Sequence, residues 1–179
     1  SRQQEVDKHW PVFLKTVEKL RCHIKKLQII VGLAPHVSIS PLPNDFRIEK
    51  SARKAMISGT AALVSSGTAT LECAVEDTPM VVCYKLSGIS WIMAQTMTKI
   101  EYASMVNLIA DEKIVPEFLQ NEMTPPRLVE AVLPLLDIKS KKRKIMLAGF
   151  DKIRRTLGIP GVYQRAAEAI IQRIKQEHE

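Results

Sequence analysis

Hydrophobic positions along this chain alternate between two periods. Val6, Trp10, Phe13, Leu14, Val17, Leu20, Ile24 and Leu27 recur three or four residues apart. That spacing turns one helix face toward a core, so residues 6–27 are predicted to be helical. Pro11 falls near the start of that helix, where its missing N–H is tolerated. Gln28-Ile29-Ile30-Val31, Ala61-Ala62-Leu63-Val64 and Pro79-Met80-Val81-Val82-Cys83-Tyr84 read as short buried strands. A proline can open the last of these but not sit within it. Residues 32–45 contain Pro35, Pro41 and Pro43 and are expected to be mostly loop. A strand end is expected at 46–48 and a short helix at 51–57. Further helices are predicted at 68–75, 89–100, 127–136, 141–157 and 163–176. Buried strands alternating with helices predict an α/β fold: a parallel sheet connected by right-handed crossovers, then a helical C-terminal third.

Composition narrows the class. With 46% apolar and 25% charged residues, the 179-residue chain is expected to be globular and able to bury one core. No apolar run approaches the roughly 20 residues needed to span a bilayer, and no signal-peptide pattern opens the chain, so a cytoplasmic location is expected. Ser1-Arg2, with no initiating methionine, leads almost at once into the helical pattern and reads as the continuation of a longer protein. Cys22, Cys73 and Cys83 lack metal-like spacing and are expected to be buried or half-buried free thiols. His9, His23, His36 and His178 form no paired motif, so no metal site is expected.

The net charge of +7 is concentrated in Lys139-Ser140-Lys141-Lys142-Arg143-Lys144, with a second group at Arg21, Lys25 and Lys26. Without a DNA- or RNA-binding motif, and with few aromatics for base stacking, nucleic acid is not expected as the partner. A solvated helix face is the plainer explanation. Attraction to an anionic membrane surface or a phosphate-bearing substrate is the functional one.

The chemistry concentrates where strand 61–64 runs into Ser65-Ser66-Gly67-Thr68-Ala69-Thr70-Leu71-Glu72. In open α/β sheets, ligands bind beyond the carboxyl ends of the strands. Gly67 permits a tight turn and removes a side chain from the ligand's approach. The N–H groups at the start of the next helix, Thr68 to Thr70, lack intrahelical partners and suit an anion. The hydroxyls of Ser66, Thr68 and Thr70 add donors. Glu72 lies four residues after Thr68, on the same helix side; it cannot close a capping box, because Ala69 stands three residues before it. A carboxylate would repel phosphate but suits a pair of ribose hydroxyls. A favourable charge near the helix dipole is its plainer explanation.

Ser66-Gly67-Thr68-Ala69-Thr70-Leu71-Glu72, followed by Pro79-Met80-Val81-Val82-x-Tyr84, resembles the signature of lipid A disaccharide synthases, a GT-B glycosyltransferase family. Tyr102-Ala103-Ser104-x-x-Asn107-Leu108-Ile109 and Val115-Pro116-Glu117-Phe118-Leu119-Gln120 extend it, and Ser1-Arg2 is similar to the end of the family's Pro-Gly-Ser-Arg loop. The resemblance runs from residue 1 to about residue 136. It implies a Rossmann-like C-terminal nucleotide-binding domain over 1–136, with 137–179 as C-terminal helices that pack on an N-terminal domain or exchange between subunits of a homodimer. Residues 31–46 form a shorter connection than the helix-containing crossover such a fold normally has.

The reaction it implies is inverting transfer from UDP-2,3-diacylglucosamine to 2,3-diacylglucosamine 1-phosphate, giving the β-1,6-linked disaccharide 1-phosphate and UDP. No metal and no other cofactor is implied. The location implied is peripheral, on the cytoplasmic face of an anionic inner membrane. As catalytic residues, Arg2 would pair with the diphosphate and Asn107 would bond the donor from a loop. UDP would be held by Ser66, Gly67, Thr68, Ala69, Thr70 and Glu72, joined by Tyr84, Glu117 and Gln120. The general base and the acceptor site are expected on the N-terminal domain, so this chain alone is expected to be inactive. Trp91, Ile92, Met93 and Met97 fit a core face, or part of an acyl-chain groove. The alternatives are the nucleotide domain of another GT-B protein, such as a UDP-sugar epimerase, and a basic module for nucleic acid or membrane.

Overall fold

The computed structural model describes residues 3–65, 67–85, 101–158 and 161–177. Arg2, Ser66 and the helix expected at 89–100, with Trp91, Ile92, Met93 and Met97, lie outside them. Helix α1 spans Gln3–His23, starting and ending earlier than the apolar stripe suggested. Pro11 therefore sits inside α1, where it removes a helix hydrogen bond instead of relieving an end. Strands β1 (Ile30–Gly32) and β2 (Arg47–Glu49) pair in parallel, and their connection contains no helix. Helix α2 (Ala52–Ser58) starts at Ser51, whose hydroxyl accepts from the Lys54 N–H.

A second parallel sheet runs β3 (Ala62–Ser65), β4 (Met80–Tyr84), β5 (Glu117–Leu119). Helix α3 (Thr68–Val75) carries the crossover from β3 to β4. Met80, Val81, Val82 and Cys83 are all fully buried, as a central parallel strand covered on both faces requires. Two short elements escaped the sequence pattern: β5 and helix α4 (Met105–Ala110). Each is too short to show a period. Helix α5 (Pro125–Leu136) opens on two prolines, which the first turn accepts.

Residues 137–179 divide in two. Helix α6 (Lys141–Leu157) delivers Met146, Phe150 and Ile153 to the main core and packs against α3, α4 and α5. In helix α7 (Val162–Glu177), every side chain from 163 to 174 is exposed, including Tyr163, Ile170, Ile171 and Ile174. The basic run at the start of α6 is only partly a solvated face. Arg143 donates to the carbonyls of Thr60 and Leu135 at 2.6 and 2.7 Å, which fixes α6 at the end of the sheet where β3 begins.

Helix α6 approaches residue 114 closely. A Cβ on Gly149 would lie 2.5 Å from Ile114 Cγ2. Gly149→Ala is therefore expected to cost about 1–3 kcal/mol, the overpacking outweighing alanine's better helix propensity. A rise in thermal midpoint would contradict this.

Cys73 and Cys83 are buried as expected, whereas Cys22, in the last turn of α1, is exposed. Burial pushes the Cys73 thiol up to about 12, and the Cys83 thiol also upward. Among the described residues, no helix is long and apolar enough to cross a membrane.

Candidate functional site

Parallel register builds the site. Ser65 aligns with Cys83, and Cys83 with Phe118. The chain therefore leaves β3, β4 and β5 on one edge, through Ser65, Tyr84-Lys85 and Leu119-Gln120. At the first exit, Gly67 takes φ +143°, a conformation other residues rarely adopt, and a Cβ there would meet nothing within 4 Å among the described residues. Glycine is needed for the backbone, and no described residue fills the space outside it.

Helix α3 begins directly after Gly67. Thr68 is exposed, Ala69 half-buried and Thr70 fully buried. Thr70, expected to offer its hydroxyl and N–H outward, donates both to the Gly67 carbonyl, at 2.8 and 3.1 Å. It fixes the turn's shape and leaves the outward donors to Thr68 and Ala69. Glu72 is exposed one turn in, and its carboxylate makes no ion pair among the described residues.

At the third exit, Gln120 has the left-handed φ of +49° and begins a short 3-10 turn. Its Nε2 is buried with no hydrogen-bond partner among the described residues. A buried amide nitrogen without a partner costs free energy that only a partner would recover. Tyr84 ends the strand between these two exits.

The structure adds a residue the sequence reading left out. His9, on α1, is 2% exposed and reaches the same edge. Its Nδ1 lies 2.8 Å from Ser65 Oγ, and its Nε2 accepts from the Lys85 N–H at 2.9 Å. The ring stacks on Phe13, with centroids 5.9 Å apart, and faces Tyr84 at 6.5 Å. Burial lowers its pKa to about 4, against a smaller opposing pull from Glu5. Its place in the sequence was a signal: it lies three residues after Val6 and four before Phe13, inside the apolar stripe.

Asn107 and Glu117 are bonded to each other and to backbone groups around them. Asn107 is in α4, not in a loop, and is fully buried. Its Nδ2 donates to the Val115 carbonyl and Glu117 Oε1, at 2.9 and 2.8 Å. Its Oδ1 accepts from the N–H groups of Ile114 and Val115, at 2.8 and 2.9 Å. All four hydrogen-bonding positions of the amide are thus filled by protein. The Glu117 carboxylate also accepts from the Ala103 and Ser104 N–H groups, each at 2.8 Å. These two side chains lock α4 to β5. They do not reach outward from a loop, as expected for donor contacts.

Comparison with known proteins bears on this arrangement. The family model described as lipid-A-disaccharide synthetase matches residues 1–171. The chain belongs to the lipid-A-disaccharide synthetase family. It is 33% identical over 180 residues to the lipid-A-disaccharide synthase of Myxococcus xanthus, covering 96% of this chain and 47% of that protein. It is 34% identical over 182 residues to the synthase of Salmonella arizonae, at 96% and 47% coverage. Against the synthase of Prochlorococcus marinus it is 35% identical over 190 residues, at 98% and 48% coverage. The chain thus spans about half the length of the curated relatives it matches. The family match passes the point near residue 136 where the visible motifs end, takes in α6 and reaches into α7. Parallel sheets flanked by helices are the Rossmann-like architecture of a GT-B C-terminal domain, which agrees with membership in this glycosyltransferase family of lipid A biosynthesis.

Proposed function

We propose that this chain is the donor-binding half of an inverting glycosyltransferase. The reaction joins UDP-2,3-diacylglucosamine to 2,3-diacylglucosamine 1-phosphate through a β-1,6 linkage and releases UDP. The observation that carries the reading is the shared carboxyl edge of β3 and β5. There a glycine turn at a helix start follows β3, and two strands over, a buried amide nitrogen, Gln120 Nε2, has no partner among the described residues.

In this reading the diphosphate sits over the start of α3. The N–H groups of Thr68 and Ala69 and the Thr68 hydroxyl face it, and Thr70 holds the turn beneath. Glu72 accepts from the ribose hydroxyls, and Gln120 Nε2 donates to the nucleotide. Arg2 and Ser66 add donors to the diphosphate as charge builds on the leaving group. Asn107 and Glu117 act by holding α4 against β5. The general base and the acceptor site lie on the part of the relatives' length that this chain does not span.

Two further parts of the reading concern surfaces. The exposed apolar positions of α7 support its burial in the longer protein, against the other half or a second subunit. The exposed lysines Lys139, Lys141, Lys142 and Lys144 support contact with an anionic membrane surface.

Calorimetric titration of UDP, with a short DNA duplex as control, tests the donor reading. UDP is expected to bind, and Glu72→Ala to weaken it about tenfold or more, the scale of lost charge-assisted hydrogen bonds. Because Glu72 is exposed, its thermal midpoint should barely move. Salt-sensitive DNA binding with no UDP heat would favour a basic interaction module and sink the reading.

A further inference from the structure

Three elements meet at one imidazole. Ser65 ends β3, Lys85 follows the last residue of β4, and His9 lies in the second turn of α1. A backbone N–H can only donate, so the ring nitrogen facing Lys85 must be the unprotonated one. That puts the proton on Nδ1, directed at Ser65 Oγ. The opposite tautomer would aim an N–H at an N–H. A charged ring would do the same, and would sit at 2% exposure between Phe13 and Tyr84.

We propose that His9 is a positioning residue for the nucleotide edge: as the Nδ1–H tautomer, it ties the ends of β3 and β4 to α1 and so sets where Gly67, Thr68 and Tyr84 stand. The proposal rests on the donor-site reading only for what the edge binds. Its mechanical content is independent of that. Ser65 is two residues before Gly67, too close for the turn to absorb a shift in the strand end. Tyr84 is held from two sides, by its peptide link to Lys85 and by its ring against the imidazole. The ring makes its bonds without a charge, so the clamp adds no cation beside the diphosphate. It acts through geometry and not through contact.

Three measurements decide it. Long-range proton–nitrogen NMR of the labelled chain should show His9 as the neutral Nδ1–H tautomer from pH 8 down to pH 5.5. An Nε2–H tautomer, or an imidazolium in that range, would overturn the proposal. Amide exchange should then be compared in His9→Leu and Gly149→Ala, the latter a destabilised control whose added Cβ would meet Ile114. His9→Leu is expected to speed exchange at Lys85 and at residues 65–70 about tenfold beyond the control, as loss of a buried partner implies. Equal acceleration in both variants would reduce His9 to ordinary packing. UDP affinity should fall about tenfold in His9→Leu. It should recover in part in His9→Gln, whose amide oxygen can again accept from Lys85, and should hold in Gly149→Ala. If the parent chain binds no UDP, the donor reading fails, while tautomer and exchange still decide the role of His9.

Discussion

Asn107→Asp is expected to cost about 3–5 kcal/mol of folding stability, the scale of breaking a buried hydrogen-bonded charge network. The substitution preserves shape and one acceptor, so the N–H groups of Ile114 and Val115 keep their partner. The other side of the amide suffers. Where Nδ2 donates to the Val115 carbonyl and Glu117 Oε1, an oxygen would face two oxygens, one of them a carboxylate. Two anions 2.8 Å apart, one fully buried and one half-buried, cannot both stay ionised without severe cost, so the pair would hold one proton above the usual carboxylate range. Lowering the pH should therefore narrow the gap between variant and parent. Asn107→Ala should cost less, about 2–4 kcal/mol, because it leaves groups unpaired without adding a charge. Urea denaturation at two pH values measures both. Unchanged stability with loss of UDP binding would return Asn107 to direct donor contact.

The same residue shows what the sequence could and could not convey. The alternation of buried strands and helices was legible because α1, β4, α5 and α6 each extend far enough to display a period or an unbroken apolar run. Gly67 and the helix start after it were legible because the turn's chemistry is local. Asn107 was legible as important but not as buried. Its partners at 114, 115 and 117 are brought beside it by a helix of six residues and a strand of three, each too short to carry a pattern. Thr70 misled for a related reason. Hydroxyls at a helix start suit an anion, but one of them can instead close the turn on the Gly67 carbonyl, and spacing cannot distinguish the two uses. Gln120 stood out only by family resemblance, and its left-handed backbone and unpartnered nitrogen are properties of the fold.

His9 is the residue whose signal was present and passed over, and it carries the largest expected effect of pH. Its folded pKa of about 4 lies below the ordinary value of 6.5 that applies when the chain is unfolded. Burial is the main cause. The charges of Lys85 and Lys8 act in the same direction, while Glu5 opposes them. Between these two pH values the unfolded chain binds one more proton than the folded one, so stability must rise with pH across that window. The contribution is complete above about pH 6.5 and is lost as the pH falls toward 4, about 3 kcal/mol in all. Carboxylates begin to titrate at the lower end, so the parent must be compared with a variant lacking the ring. His9→Gln keeps an acceptor for Lys85 and removes the titration. The difference in unfolding free energy between parent and His9→Gln should be nearly constant from pH 8 to 7, then shift against the parent by most of that amount by pH 4.5. Parallel curves over the whole range would mean that the imidazole titrates alike in folded and unfolded chains. The neutral clamp between α1 and the ends of β3 and β4 would then be wrong.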